Sequence, residues 1–115
     1  MSENPPWKPL CPADLAPGEL RGFDVGERLV LVANLRGRLY AMDDWCNHAG
    51  CLLSGGWLDG KRACVVCPCH EYAFRLEDGK NITFPRLCDD QPVFPLKVEQ
   101  GTVHVAVPPG PKEHS

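Results

Sequence analysis

Two short segments hold the residues that could do chemistry. Cys46-Asn47-His48 and Cys67-Pro68-Cys69-His70 each offer a thiolate and an imidazole a few positions apart, and 18 residues separate His48 from Cys67. Two ligands on one tight loop reach a metal with little ordering left to do. Thiolate is soft and suits iron–sulfur clusters or zinc, while imidazole suits iron, zinc or copper. On residue types alone, a Cys2His2 set also fits a structural zinc site. Zinc modules more often pair their cysteines as Cys-x-x-Cys, whereas each segment here mixes the two types. Pro68 and the glycines at 50, 55 and 56 suit loops held in tight, irregular shapes.

The chain has seven cysteines, so a pure disulfide framework leaves one thiol over. Cys64-Val65-Val66-Cys67 has the spacing of a redox pair. Such pairs act through a thiolate at a helix start. This one lies in a valine-rich stretch, so Cys64 is expected in the core. Cys11 and Cys88 are expected to be ordinary thiols.

Along the chain, 11 glycines and 12 prolines are spread through its length and leave little room for a long helix. The one helical hint, Asp14 to Leu20, is interrupted by Pro17-Gly18. Strands are expected at Leu29–Ala33 and Arg38–Met42, joined by an Arg36-Gly37 turn, and again at Arg62–Val66 and Tyr72–Leu76. The clearest hairpin is the last. Phe94, Leu96 and Val98 alternate with Pro95, Lys97 and Glu99, and Val103, Val105 and Val107 alternate beyond a Gln100-Gly101 turn. Period-two patterning marks strands with one buried face. The chemistry-bearing loops, Trp45–Gly56 and Cys67–Glu71, fall between strands. Lys80–Pro92 shows no clear period and reads as a long loop.

At 115 residues the chain has room for one domain, expected over 1–107 with a metal-binding lobe at about 44–75 and a flexible tail over 108–115. A net charge of −3, without a long run of Lys or Arg, argues against nucleic acid as a partner. No stretch approaches the roughly 20 apolar residues that span a bilayer. The N-terminus has no basic region followed by an apolar run, so the expected location is the cytoplasm. Clustered Cys and His in a reducing compartment more often mean metal than disulfides.

Cys-x-His followed by Cys-x-x-His resembles the Rieske iron–sulfur signature. The resemblance covers most of the chain, from near Trp7 through Gly37–Asp44 and Leu53-Ser54-Gly55-Gly56 to the hairpin ending near Val103. It implies an all-β fold of antiparallel sheets, with two loops forming a small cluster-binding lobe. It implies one two-iron, two-sulfur cluster, with Cys46 and Cys67 on one iron and His48 and His70 on the other. Imidazole in place of two thiolates raises the reduction potential to roughly −150 to +300 mV, against about −400 mV for plant-type clusters.

Cys51 and Cys69 complete a pattern similar to the high-potential Rieske proteins of cytochrome bc complexes, where two extra cysteines form a disulfide between the cluster loops. Ferredoxin-type relatives usually lack both. The residues after His70 point the other way. High-potential relatives carry a Ser and a Tyr whose hydroxyls donate to the cluster sulfurs, where this chain has Tyr72 and Phe74. Glu71 adds a negative charge. Fewer donors and more negative charge disfavour the reduced cluster, so the expected potential lies below that of the bc-type proteins.

With a one-electron centre and no nucleophile–base arrangement, the chain reads as an electron carrier rather than a complete enzyme. The resemblance implies single-electron transfer from a flavin reductase to an oxygenase or similar oxidoreductase. A second reading is the small subunit of a larger enzyme such as assimilatory nitrite reductase, with its large subunit as partner. A non-redox zinc module is the third. The expected docking surface is the tip of the cluster lobe, with Asn47, Ala49, Leu52, Leu53, Pro68 and Tyr72 around the histidines; packing of the loops together is the alternative reading of these side chains, and for Leu52 and Leu53 it stands level with the first.

Overall fold

The computed structural model describes residues 7–25, 28–46, 51–69, 71–83 and 90–107. Ten strands and one short 3-10 turn make up the regular structure of these residues. The strands are β1 (Trp7–Pro12), β2 (Leu20–Val25), β3 (Arg28–Leu35), β4 (Arg38–Asp43), β5 (Trp57–Asp59), β6 (Cys64–Val66), β7 (Ala73–Arg75), β8 (Val93–Phe94), β9 (Leu96–Glu99) and β10 (Thr102–Ala106). They form three antiparallel sheets in the orders β1-β10-β9, β2-β3-β4-β8 and β5-β6-β7. The expected all-β architecture is the one observed.

β3 explains how the sheets share a core. It is apolar at every central position, a pattern of strands covered on both faces. Its period of two sends Val30 and Val32 to one side, where they meet Cys11, Val103, Val105 and Phe94. Leu31 and Ala33 go to the other side, against Cys46, Leu53, Val65, Cys67 and Phe74. β4 divides in the same way: Ala41 joins the first cluster and Met42 the second. The second sheet is thus a wall between the β1-β10-β9 base and the layer that holds the two cysteine-bearing loops.

Several expectations change. Asp14–Leu20 is not helical; Glu19 N–H donates to the Ala16 carbonyl at 2.9 Å, a turn that leads into β2. β1 and β2 are strands that the sequence pattern did not mark. β1 contains Pro9 and Pro12, but it lies at a sheet edge, where a missing N–H is tolerated, and its register shifts between Pro9 and Cys11. The expected strand at Arg62–Val66 begins only at Cys64, because Asp59 accepts from the backbone of Lys61 and Arg62 and holds that stretch as a turn. The strand expected over Tyr72–Leu76 shortens to Ala73–Arg75. Val103 and Val105 are buried as expected, while Val98 is 48% exposed because β9 is the other edge of its sheet. The tail 108–115 and Cys88 lie outside the described residues.

Candidate metal centre

Loop one leaves β4 through Asp43 and Asp44, both buried. Trp45 bridges Leu52, and the Cys46 N–H donates to the Cys51 carbonyl at 2.7 Å, so the loop closes on itself. Asp44 holds the returning strand of the loop. Its carbonyl accepts from Leu53 N–H at 2.8 Å, and its carboxylate accepts from Ser54 N–H at 2.6 Å and from the Ser54 hydroxyl at 2.7 Å. Burial pushes the Asp44 carboxyl above its usual range, and the Ser54 hydroxyl and amide pull it back. Gly22 of β2 is where this clamp meets the wall: a Cβ there would collide with the Asp44 carboxylate and the Ser54 hydroxyl. Neither Asp44 nor Ser54 announced this role in the sequence, since a polar residue beside a loop is ordinarily solvated.

Loop two is tighter. Cys67 N–H donates to the Tyr72 carbonyl at 2.8 Å and Glu71 N–H donates to the Cys67 carbonyl at 2.9 Å. Glu71 is exposed and takes a left-handed backbone, with φ of 59°, that lets the chain turn back on itself. The turn is bounded by β6 and β7, which pair directly and so bring its two ends together.

The loops meet. Cys51 and Cys69 form a disulfide, with Cα atoms 6.4 Å apart, that ties loop one to loop two. The sulfurs of Cys51, Cys67 and Cys69 all lie within 4.8 Å of one another. The disulfide takes Cys51 and Cys69 out of the pool of thiolate donors. Cys46 and Cys67 are fully buried, outside any disulfide, and share one apolar cluster with Leu53, Tyr72 and Phe74. A pair of sulfurs held on neighbouring loops by main-chain hydrogen bonds, in apolar surroundings, fits a group that takes thiolates from both loops. Soft donors shielded from water are what iron–sulfur centres use.

His48 and His70 lie outside the described residues, as do Asn47 and Ala49. Cys64 is buried in β6 among Val66 and Ala73, a packing thiol as expected. Phe74 and Tyr72 both fall beside the two cysteines in the apolar cluster. Of the residues expected around an exposed tip, Leu52 is 43% exposed and Pro68 is exposed, but Leu53 and Tyr72 are buried and belong to the interior.

The chain belongs to the Rieske [2Fe-2S] domain family, whose description matches residues 6–104. It carries the two-iron, two-sulfur cluster of that family and is an electron-transfer protein of the ferredoxin kind. Among its relatives is the ferredoxin component of an alkene monooxygenase system of Xanthobacter autotrophicus, 40% identical over 87% of this chain and 80% of that protein. Among solved structures, a chain from a complex of reduced oxygenase and oxidized ferredoxin in carbazole 1,9a-dioxygenase is 33% identical, with a TM-score of 0.79 over 97% of this chain and 100% of that one. A Mycobacterium tuberculosis protein assigned as an NADH-dependent nitrite reductase small subunit is 29% identical, with a TM-score of 0.81 over 94% of this chain and 100% of that one. No helix among the described residues is long and apolar enough to cross a membrane.

Proposed function

We propose that this chain is the ferredoxin of a multicomponent oxygenase system, taking single electrons from a flavin reductase and passing them to the oxygenase. The observation that carries the reading is the 40% identity to a monooxygenase ferredoxin over most of both chains, together with the two buried cysteines that lie outside any disulfide on adjacent loops. Cys46 and Cys67 hold one iron through thiolate, and His48 and His70 hold the other through imidazole. The cluster, when bound, supplies a one-electron couple. The protein's own residues do the rest. Leu53, Tyr72 and Phe74 keep water from the two cysteines, the Cys51–Cys69 disulfide joins the loops, and the Asp44 clamp fixes loop one on the sheet. Residues 1–107 act as one domain, with the metal-binding lobe at about 44–75.

Electrons enter and leave at the loop tip. Leu52 and Pro68 are exposed there, and a small apolar contact suits the brief encounters of redox partners. The reading places the chain in the cytoplasm, where its partners are expected, and cell fractionation checks that placement.

The test is metal and acid-labile sulfide analysis of purified protein, followed by reconstitution with a flavin reductase and an oxygenase from the same organism. Two irons and two sulfides per chain, with oxygenase turnover dependent on this protein, are expected. Stoichiometric zinc without iron would refute the reading. The likeness to a nitrite reductase small subunit favours a second reading, in which the partner is a nitrite reductase large subunit. Stable co-purification with such a subunit would select it.

A further inference from the structure

One buried polar side chain near the metal-binding loops comes from neither loop. Gln91 is 1% exposed, although it sits in a segment that reads from sequence as a loop. Its Nε2 donates to the Asp43 carbonyl at 2.8 Å and to the Trp45 carbonyl at 2.5 Å. An amide nitrogen has two hydrogens, so both are committed to the two carbonyls that flank Asp44, immediately before Cys46. The next residue continues the attachment, since the Pro92 carbonyl accepts from Asp43 N–H at 2.9 Å.

The backbone of Gln91 is tied to the turn that follows β7, the strand that leaves loop two. Gln91 N–H donates to the Gly79 carbonyl at 2.7 Å, and Gly79 N–H donates to the carbonyl of Arg75, the last residue of β7, also at 2.7 Å. Gly79 has a φ of 75°, and a Cβ there would collide with the Gln91 carbonyl. The approach is therefore close and needs glycine. A continuous path of hydrogen bonds runs from the strand that leaves loop two, through Gly79 and Gln91, to the backbone that enters loop one.

We infer that Gln91 is a positioning residue for the metal centre: its side-chain amide fixes the backbone from which Cys46 reaches iron, and it sets the separation of the two loops. The Cys51–Cys69 disulfide joins the loops directly, and Gln91 joins the chain entering the first to the strand leaving the second. The inference rests on Cys46 being a ligand.

The experiment uses the cluster-loaded protein and compares Gln91→Met with Asn34→Ala. Methionine keeps the volume and loses both donors. Asn34 is equally a buried amide, donating to the Leu15 carbonyl at 2.7 Å, but it belongs to the wall strand β3. The readouts are the electron paramagnetic resonance g-values of the reduced protein, its reduction potential, the rate of iron release to a chelator, and Tm. Gln91→Met is expected to shift the g-values and the potential and to release iron more than about tenfold faster, since about tenfold corresponds to one ordinary hydrogen bond and the variant loses two. Asn34→Ala is expected to lower Tm and leave the spectrum and potential unchanged.

A Gln91→Met protein with lowered Tm but wild-type g-values, potential and release rate would overturn the inference and leave Gln91 a structural brace. Should that variant not fold, Gln91→Asn, too short to reach both carbonyls, is read against the same two outcomes. Cys46→Ser separates the premises. Loss of the cluster there, with an unchanged spectrum in the Gln91 variant, overturns this inference alone. Retention of a native cluster in Cys46→Ser overturns the ligand assignment.

Discussion

The base of the molecule and its metal-binding lobe are built on different principles, although they share the wall strand β3. The base holds through apolar burial: Val30, Val32, Val103, Val105 and Phe94 pack between two sheets whose ladders satisfy the backbone. The lobe has its own apolar cluster, but much of its chain is irregular. Its backbone groups find partners in the side chains of Asp44 and Gln91, and its loops are cross-linked by Cys51–Cys69. A sheet meets its own hydrogen-bonding needs. Loops must borrow donors and acceptors from side chains, because a buried carbonyl left unpaired costs about 1–3 kcal/mol. The base can therefore absorb small changes that the lobe cannot, and substitutions in the two regions should separate stability from redox properties.

The largest effect is expected at the two buried thiols. Cys46→Ser or Cys67→Ser should abolish the cluster, read as loss of colour and iron, and should lower the yield of folded protein, because binding free energy of the group is also folding free energy. Native iron content in either variant would break the assignment.

Next comes the cross-link. Cys51→Ser with Cys69→Ser opens a loop of sequence separation 18 and should cost about 3 kcal/mol in chemical denaturation. If the lobe is held mainly by its polar pairings, the double variant still binds the cluster, with faster iron release.

In the base, Val105→Ala removes two buried methyl groups and should cost roughly 2 kcal/mol. It is expected to leave the absorption spectrum and potential unchanged, and a change in either would erase the proposed separation of the two regions.

Phe74→Tyr should cost about 1 kcal/mol by adding a hydroxyl at a fully buried position of the lobe cluster. Film voltammetry should show a higher potential, because a donor beside the cluster sulfurs stabilises the reduced state. An unchanged potential would mean that the hydroxyl does not reach a sulfur. The smallest effect is expected at Val98, half-exposed on the edge strand β9, where Val98→Thr should change stability by less than about 0.5 kcal/mol.

The sequence by itself determined the class of the protein and the regular part of its frame. The two mixed Cys/His segments are local and carry their chemistry in their spacing. The joint presence of Cys51 and Cys69 pointed to the disulfide that joins the loops. The hairpin through Val103 and Val105 and the strands around Arg36-Gly37 were legible because a strand's period of two is written in consecutive residues. Tertiary structure decided the rest. It placed Val98 outside, since an edge position leaves no local mark on a strand. It buried Tyr72, which read from sequence as surface around the tip, and it decided Leu53 in favour of loop packing. It also brought Gln91 to the Asp43 and Trp45 carbonyls across separations of 48 and 46 residues. A glutamine in a loop carries no periodic signal, and whether its amide faces water or a buried carbonyl depends on which distant chain the fold lays against it.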